Sequence, residues 1–142
     1  MERENVNDGQ TKQLPASPSP RVLLIDEDSD DLGSYSAFLC GQGYQVHTIS
    51  SFAEGAACVE REDFDLVVVS QGSPRFEGRL VLARAITKNR WAPVLVLTRA
   101  IDMNCYIEAM QSGALDYMEK PSPPSEIRSL VRKYVRTRRV SD

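Results

Sequence analysis

The chain lacks any apolar stretch approaching the length of a membrane span, and behind its polar start, Met1-Glu2-Arg3-Glu4-Asn5, no apolar segment of an export signal follows. Its three cysteines, Cys40, Cys58 and Cys105, are odd in number, widely spaced and without a C-x-x-C, so they suggest neither a disulfide framework nor a zinc site. A reducing cytoplasm fits these absences. A basic excess is also missing: 17 Lys and Arg stand against 20 Asp and Glu, a net charge of -3, which argues against a general nucleic-acid binder. No glycine-rich phosphate loop follows the first apolar run, where Asp26-Glu27-Asp28 would repel phosphate. The one histidine, His47, has no partner at metal-ligand spacing and reads as a surface residue.

What is present suits one globular domain: 142 residues, 42% hydrophobic and 26% charged. Residues 1–20 end in Pro15-Ala16-Ser17-Pro18-Ser19-Pro20 and read as a disordered tail, leaving a folded domain over 21–139 and a short tail at 140–142. Within the domain, short apolar runs alternate with stretches of helical period. Strands are expected at Val22–Ile25, Tyr44–Ile49, Leu66–Val69, Val94–Leu97 and Leu115–Met118. Helices are expected through Leu32, Tyr35, Phe38 and Leu39 to a stop at Gly41-Gln42-Gly43, over Phe52–Arg61, Arg79–Lys88 and Asp102–Ser112, and from Pro124 to Arg136. Trp91, in the loop before Pro93, reads as a local packing residue.

Strictly alternating strands and helices imply an α/β doubly wound architecture, with right-handed crossovers, a five-stranded parallel sheet and helices on both faces. The near-continuous apolar strands agree with burial on two sides. A ligand site in such a sheet lies beyond the carboxyl ends of the strands. That places together Asp26 and Glu27 after the first strand, Ser70 after the third, Thr98 after the fourth and Lys120 after the fifth.

This set, with Leu24-Ile25-Asp26-Glu27-Asp28, the Pro74 and Gly78 that follow Ser70, Val96-Leu97-Thr98 and Gly113-Ala114-Leu115-Asp116-Tyr117-Met118-Glu119-Lys120-Pro121, resembles the receiver domain of two-component response regulators over about residues 21–136. The resemblance implies a flavodoxin-like (βα)5 three-layer sandwich with strand order 2-1-3-4-5. It also implies that the acidic pair Asp26 and Glu27 holds Mg2+, that Thr98 and Lys120 contact a phosphoryl group, and that Tyr117 is the switch aromatic, whose rotamer reshapes the face made by the fourth helix, fifth strand and fifth helix. Phosphorelay partners follow from the same resemblance: a histidine kinase, another regulator or a second copy of the chain, the last through the region of the final helix.

Two positions depart from the family. Ser70 occupies the place of the aspartate that accepts the phosphoryl group, and Arg99 replaces the small residue beside Thr98. Mg2+ takes an octahedral set of oxygens, and opposite unit charges about 4 Å apart attract by roughly 4 kcal/mol at an effective dielectric near 20. Loss of one carboxylate therefore leaves Mg2+ weakly held at most, and no cofactor is required. A serine also needs a base to take its proton before it attacks phosphohistidine, and its ester lacks the lability of an acyl phosphate. The plainer reading of Ser70 is a turn residue ahead of Gly72, and that of Asp26 and Glu27 a helix-capping cluster. Arg99 either points to solvent or leans across the acidic site and blocks it with its own charge.

The sequence thus supports a stand-alone, non-enzymatic pseudo-receiver, a protein-interaction module in phosphorelay signalling. A working receiver with a non-aspartate acceptor is the alternative, and a small-ligand-binding flavodoxin-like protein ranks below it. Arg128, Arg132, Arg136 and Arg139 recur at helical spacing, yet no recognition-helix pair accompanies them, so the basic helix reads as a solvated or partner face rather than a nucleic-acid surface.

Overall fold

The computed structural model describes residues 19–120 and 123–141. The tail expected over 1–20 therefore lies outside the described residues apart from its last two, as do Pro121 of the terminal motif and the side chains of Arg136 and Arg139.

Among the described residues ten elements alternate: β1 (Arg21–Ile25), α1 (Ser29–Gly41), β2 (Gln45–Ile49), α2 (Phe52–Arg61), β3 (Leu66–Ser70), α3 (Arg79–Lys88), β4 (Val94–Thr98), α4 (Met103–Gln111), β5 (Asp116–Glu119) and α5 (Ser125–Ser141). All sheet pairings are parallel, and the strand order is 2-1-3-4-5, the doubly wound flavodoxin-like arrangement. Expected and observed boundaries agree to within a residue or two except at α5, which runs past Arg136 to Ser141.

The period of two along each strand sorts the core into two layers. Leu23, Ile25, Val67, Val69, Val94 and Val96 face α2, α3 and α4, where Ala56, Val59, Val81, Leu82 and Ala109 meet them. Val22, Leu24, Leu66, Val68, Leu95 and Leu97 face Tyr35 and Leu39 of α1 and Ile127, Val131 and Val135 of α5. Full burial of one such aliphatic side chain contributes about 1.5–3 kcal/mol. β2 is an edge strand, half exposed, which is why its sequence alternates where β1, β3 and β4 run continuously apolar.

Register brings the strand ends level. Ile25 lies beside Val69, Ser70 beside Leu97, and Thr98 beside Glu119. The side chains that follow β1, β3, β4 and β5 thus emerge on one rim of the sheet.

Candidate functional site

The turns that follow β1, β3 and β4 are closed by short polar side chains. The Asp28 carboxylate caps α1, accepting from the amides of Asp30 (2.9 Å) and Asp31 (3.1 Å). Asp102 caps α4 by accepting from the amide of Cys105 at 3.0 Å. The buried hydroxyl of Ser70 accepts from the amide of Gly72 at 3.1 Å, and that of Thr98 accepts from the amide of Ala100 at 3.2 Å while donating to the Ala100 carbonyl at 2.9 Å. Both hydroxyls are therefore turn-closing groups two residues ahead of their donors.

The approach of α3 to this rim depends on Gly78. A Cβ there would lie 2.1 Å from the carbonyl oxygen of Ser70, so any larger residue would push α3 away from the end of β3. The loop between them is anchored by Phe76, 1% exposed although its φ is 59°. A bulky residue in that left-handed region costs about 1–3 kcal/mol, offset by burial of the ring.

The acidic residues are neutralised from within. The Lys120 ammonium, brought in where its own amide extends the β4–β5 ladder to Thr98 at 2.7 Å, lies 2.9 Å from Asp26 Oδ2 and 3.0 Å from Asp31 Oδ2. The Arg99 guanidinium lies 2.8 Å from Asp31 and 2.6 Å from Asp28. The result is an alternating chain of charges, Asp26–Lys120–Asp31–Arg99–Asp28. Arg99 thus leans back over the acidic turn, contacting Asp28 and Asp31 rather than Asp26 and Glu27, and Asp31, not Glu27, is the second carboxylate on Lys120. Glu27 is exposed, at the mouth of a cleft of about 430 Å3 that Ser70, Thr98, Arg99 and Lys120 also line.

Burial pushes the Asp26 carboxyl above its ordinary value, opposed by the amide of Asp28 and by Lys120. Burial works against the charge of Lys120 as well, but the carboxylates of Asp26 and Asp31 hold its pKa above that of a free lysine. The amide of Asp31, and then Arg99, hold Asp28 below the usual carboxylate range.

Mg2+ takes oxygen ligands, and here it would draw on Asp26 and Glu27. Asp26 uses one oxygen on Lys120 and the other on the Asp28 amide at 3.0 Å, Ser70 supplies no charge, and two cations already lie at the site. Glu27 is the one carboxylate of the expected pair that points to solvent.

Tyr117 is buried beside the rim. Its hydroxyl donates to the side-chain carbonyl of Gln71 and accepts from the amide of Asp102 at 3.0 Å. Gln71, 2% exposed, bonds Leu97 and Gly78 through its backbone and the Ser73 carbonyl through its amide nitrogen at 3.2 Å. Sequence reasoning passed over Gln71, Asp31 and Asp102. The signal available was local: a polar residue directly after a buried strand, and two carboxylates at helix starts. Trp91, expected to pack, is 75% exposed, with Arg90 stacked over its ring at 4.9 Å, because the turn after α3 carries it outward.

With α4 capped by Asp102, its outer surface shows Met103, Tyr106 and Ile107 to solvent, and Ile101 just ahead of the cap is exposed beside them. On α5, Arg132 and Lys133 are exposed, while Tyr134 bonds Asp116 at 2.9 Å. Among the described residues, no helix is long and apolar enough to cross a membrane.

A family model for the response regulator receiver domain matches residues 22–132. The chain is 31% identical over 121 residues to the alginate biosynthesis transcriptional regulatory protein AlgB of Pseudomonas aeruginosa, a match covering 85% of this chain and 27% of AlgB, so it spans about a quarter of that relative's length. Among solved structures, a CheY-like response regulator receiver domain protein from Methanospirillum hungatei JF-1 superposes with a TM-score of 0.80 at 23% identity, covering 87% of this chain and 99% of that one. The receiver domain of sensor histidine kinase PA1611 from Pseudomonas aeruginosa PAO1, with magnesium coordinated in its active site cleft, gives a TM-score of 0.72 at 19% identity over 82% of this chain and 98% of that one. With a match over most of its length and the same strand order, this chain belongs to the response regulator receiver domain family of two-component signalling.

Proposed function

We propose that this chain is a pseudo-receiver, a non-enzymatic protein-interaction module whose output conformation does not depend on phosphorylation. The observation that carries this reading is the charge chain Asp26–Lys120–Asp31–Arg99–Asp28. In a phosphorylatable receiver the acidic site attracts Mg2+, and the metal and lysine then balance a phosphoryl group. Here Lys120 and Arg99 balance the carboxylates directly, so Mg2+ binds weakly at most and no cofactor is needed. Ser70 supplies no acyl-phosphate chemistry, and its oxygen is engaged by the Gly72 amide.

In this reading Tyr117 is the switch aromatic already turned inward, held by Gln71 and Asp102. The α4 face with Met103, Tyr106 and Ile107 is then presented continuously to a protein partner, whether a histidine kinase, another regulator or a second copy bound through the α5 region. The receiver unit over 21–139 works in the cytoplasm, without nucleic acid or membrane as its target.

The test is incubation of the full chain with a small-molecule phosphodonor and Mg2+, read by intact mass. The wild type is expected to gain no phosphoryl group, and Ser70→Asp to gain one. Mg2+-dependent addition to Ser70 in the wild type would instead support a working receiver with an unusual acceptor.

A further inference from the structure

Away from the rim, the fold gathers three ligating side chains that the sequence keeps apart. His47 lies on the edge strand β2, Cys58 on the inward face of α2, and Glu62 one turn further on at the end of that helix. One imidazole nitrogen, the Cys58 thiol sulfur and one Glu62 carboxylate oxygen all lie within 4.8 Å of one another. Cys58 and Glu62 are four apart, so the helix itself sets them on one side, sulfur to oxygen at 4.0 Å. His47 is exposed, as its sequence context suggests, and the two other side chains reach it from the helix that follows its strand.

The surroundings orient this set. Arg21 donates to Glu62 Oε1 at 2.7 Å, which leaves Oε2 turned toward the thiol. The same guanidinium is fixed by the Asp63 carbonyl at 2.8 Å and lies 4.6 Å over the Phe64 ring. Phe64 in turn meets the His47 ring edge-on at 6.1 Å. One shell thus positions two of the three donors, as outer-shell partners do in metal sites.

We propose that His47, Cys58 and Glu62 form a site for a borderline divalent cation of the Zn2+ class, with one position left for water. Imidazole, thiolate and carboxylate together suit Zn2+ and not Mg2+. Ligand atoms around a tetrahedral zinc lie roughly 3–4 Å apart, so rotation of the exposed His47 ring closes the set onto a metal. Thiolate and carboxylate together neutralise the ion, which is why Arg21 is tolerated beside it. Cys58 binds as the thiolate, and its proton leaves to solvent as the metal binds. Occupancy ties the exposed edge strand to α2.

The test is titration of the full metal-free chain with Co2+, followed by displacement with Zn2+. One equivalent of Co2+ is expected to give visible tetrahedral bands and a thiolate-to-cobalt charge-transfer band, both removed by Zn2+ and untouched by excess Mg2+. Cys58→Ser should abolish the charge-transfer band, and His47→Ala and Glu62→Gln should each weaken Zn2+ by about tenfold or more. His47 is exposed, so its variant reports even if the buried Cys58 variant fails to fold. A cobalt spectrum without the sulfur band, or Zn2+ affinity unchanged in His47→Ala, would overturn the assignment.

Discussion

The phenol of Tyr117 donates to the side-chain carbonyl of Gln71, and both groups are buried, at 5% and 2% exposure. The bond ties β5 to the loop that leaves β3, and through the Asp102 amide the same hydroxyl reaches the start of α4. A buried glutamine held at four points has little reason to move, so the tyrosine has a fixed acceptor on its inner side.

Gln71→Leu keeps the volume and removes the acceptor. A hydrogen bond of this kind contributes about 1 kcal/mol, so the variant should unfold at lower urea and the Asp102 amide should exchange about fivefold faster as the hydroxyl loses its hold. Tyr117→Phe strands both Gln71 and the Asp102 amide and should cost about 1–3 kcal/mol. Hydrogen exchange and urea midpoints check both. An Asp102 amide equally protected in Gln71→Leu would mean that Gln71 does not hold the ring.

Lys120 and Arg99 touch the same Asp31, yet the two cations should differ in consequence. Lys120 is 8% exposed at its side chain and its removal leaves Asp26 buried without a cation, so Lys120→Met should cost about 3 kcal/mol. Arg99 is 63% exposed at its side chain, where solvent screens its charge, and Arg99→Ala should leave the urea midpoint nearly unchanged. The second change also removes a positive charge from the acidic turn and should tighten Mg2+ by about tenfold. Chemical denaturation and Mg2+ titration separate the two effects.

High pH should loosen the protein. Burial raises the phenol of Tyr117, and burial with the Asp116 bond pushes that of Tyr134 up to about 12. Lys120 is raised too, burial opposing its charge and its two carboxylates more than compensating. In all three the native state keeps a proton that the unfolded chain has begun to release. Their contribution is therefore whole below about pH 10 and falls as pH rises through the native values. Urea midpoints from pH 8 to 12 should decline, and Tyr134→Phe should remove the latest component of the tyrosinate absorbance titration.

The layers of the fold were legible because β1, β3 and β4 are buried on both faces, and burial of that kind writes itself as unbroken Val and Leu. The rim was legible because strand ends in a parallel sheet must converge, which placed Asp26, Ser70, Thr98 and Lys120 together. The pairing within the rim was not. Asp31 reaches Lys120 because the Asp28 cap swings the first turn of α1 inward, while Glu27, its neighbour on the other side of that cap, is left outside. Gln71 is buried because Gly72, at φ 85°, turns the chain sharply behind it. Both outcomes depend on loop geometry that spacing along the chain does not encode.

If the rim is already set without a phosphoryl group, the amide NMR spectrum of the full chain will be the same with and without Mg2+ and beryllofluoride. Resonances of Thr98, Asp102 and Tyr117 should stay in place, while the same additions shift them in Ser70→Asp. Large shifts at these residues in the wild type would contradict it.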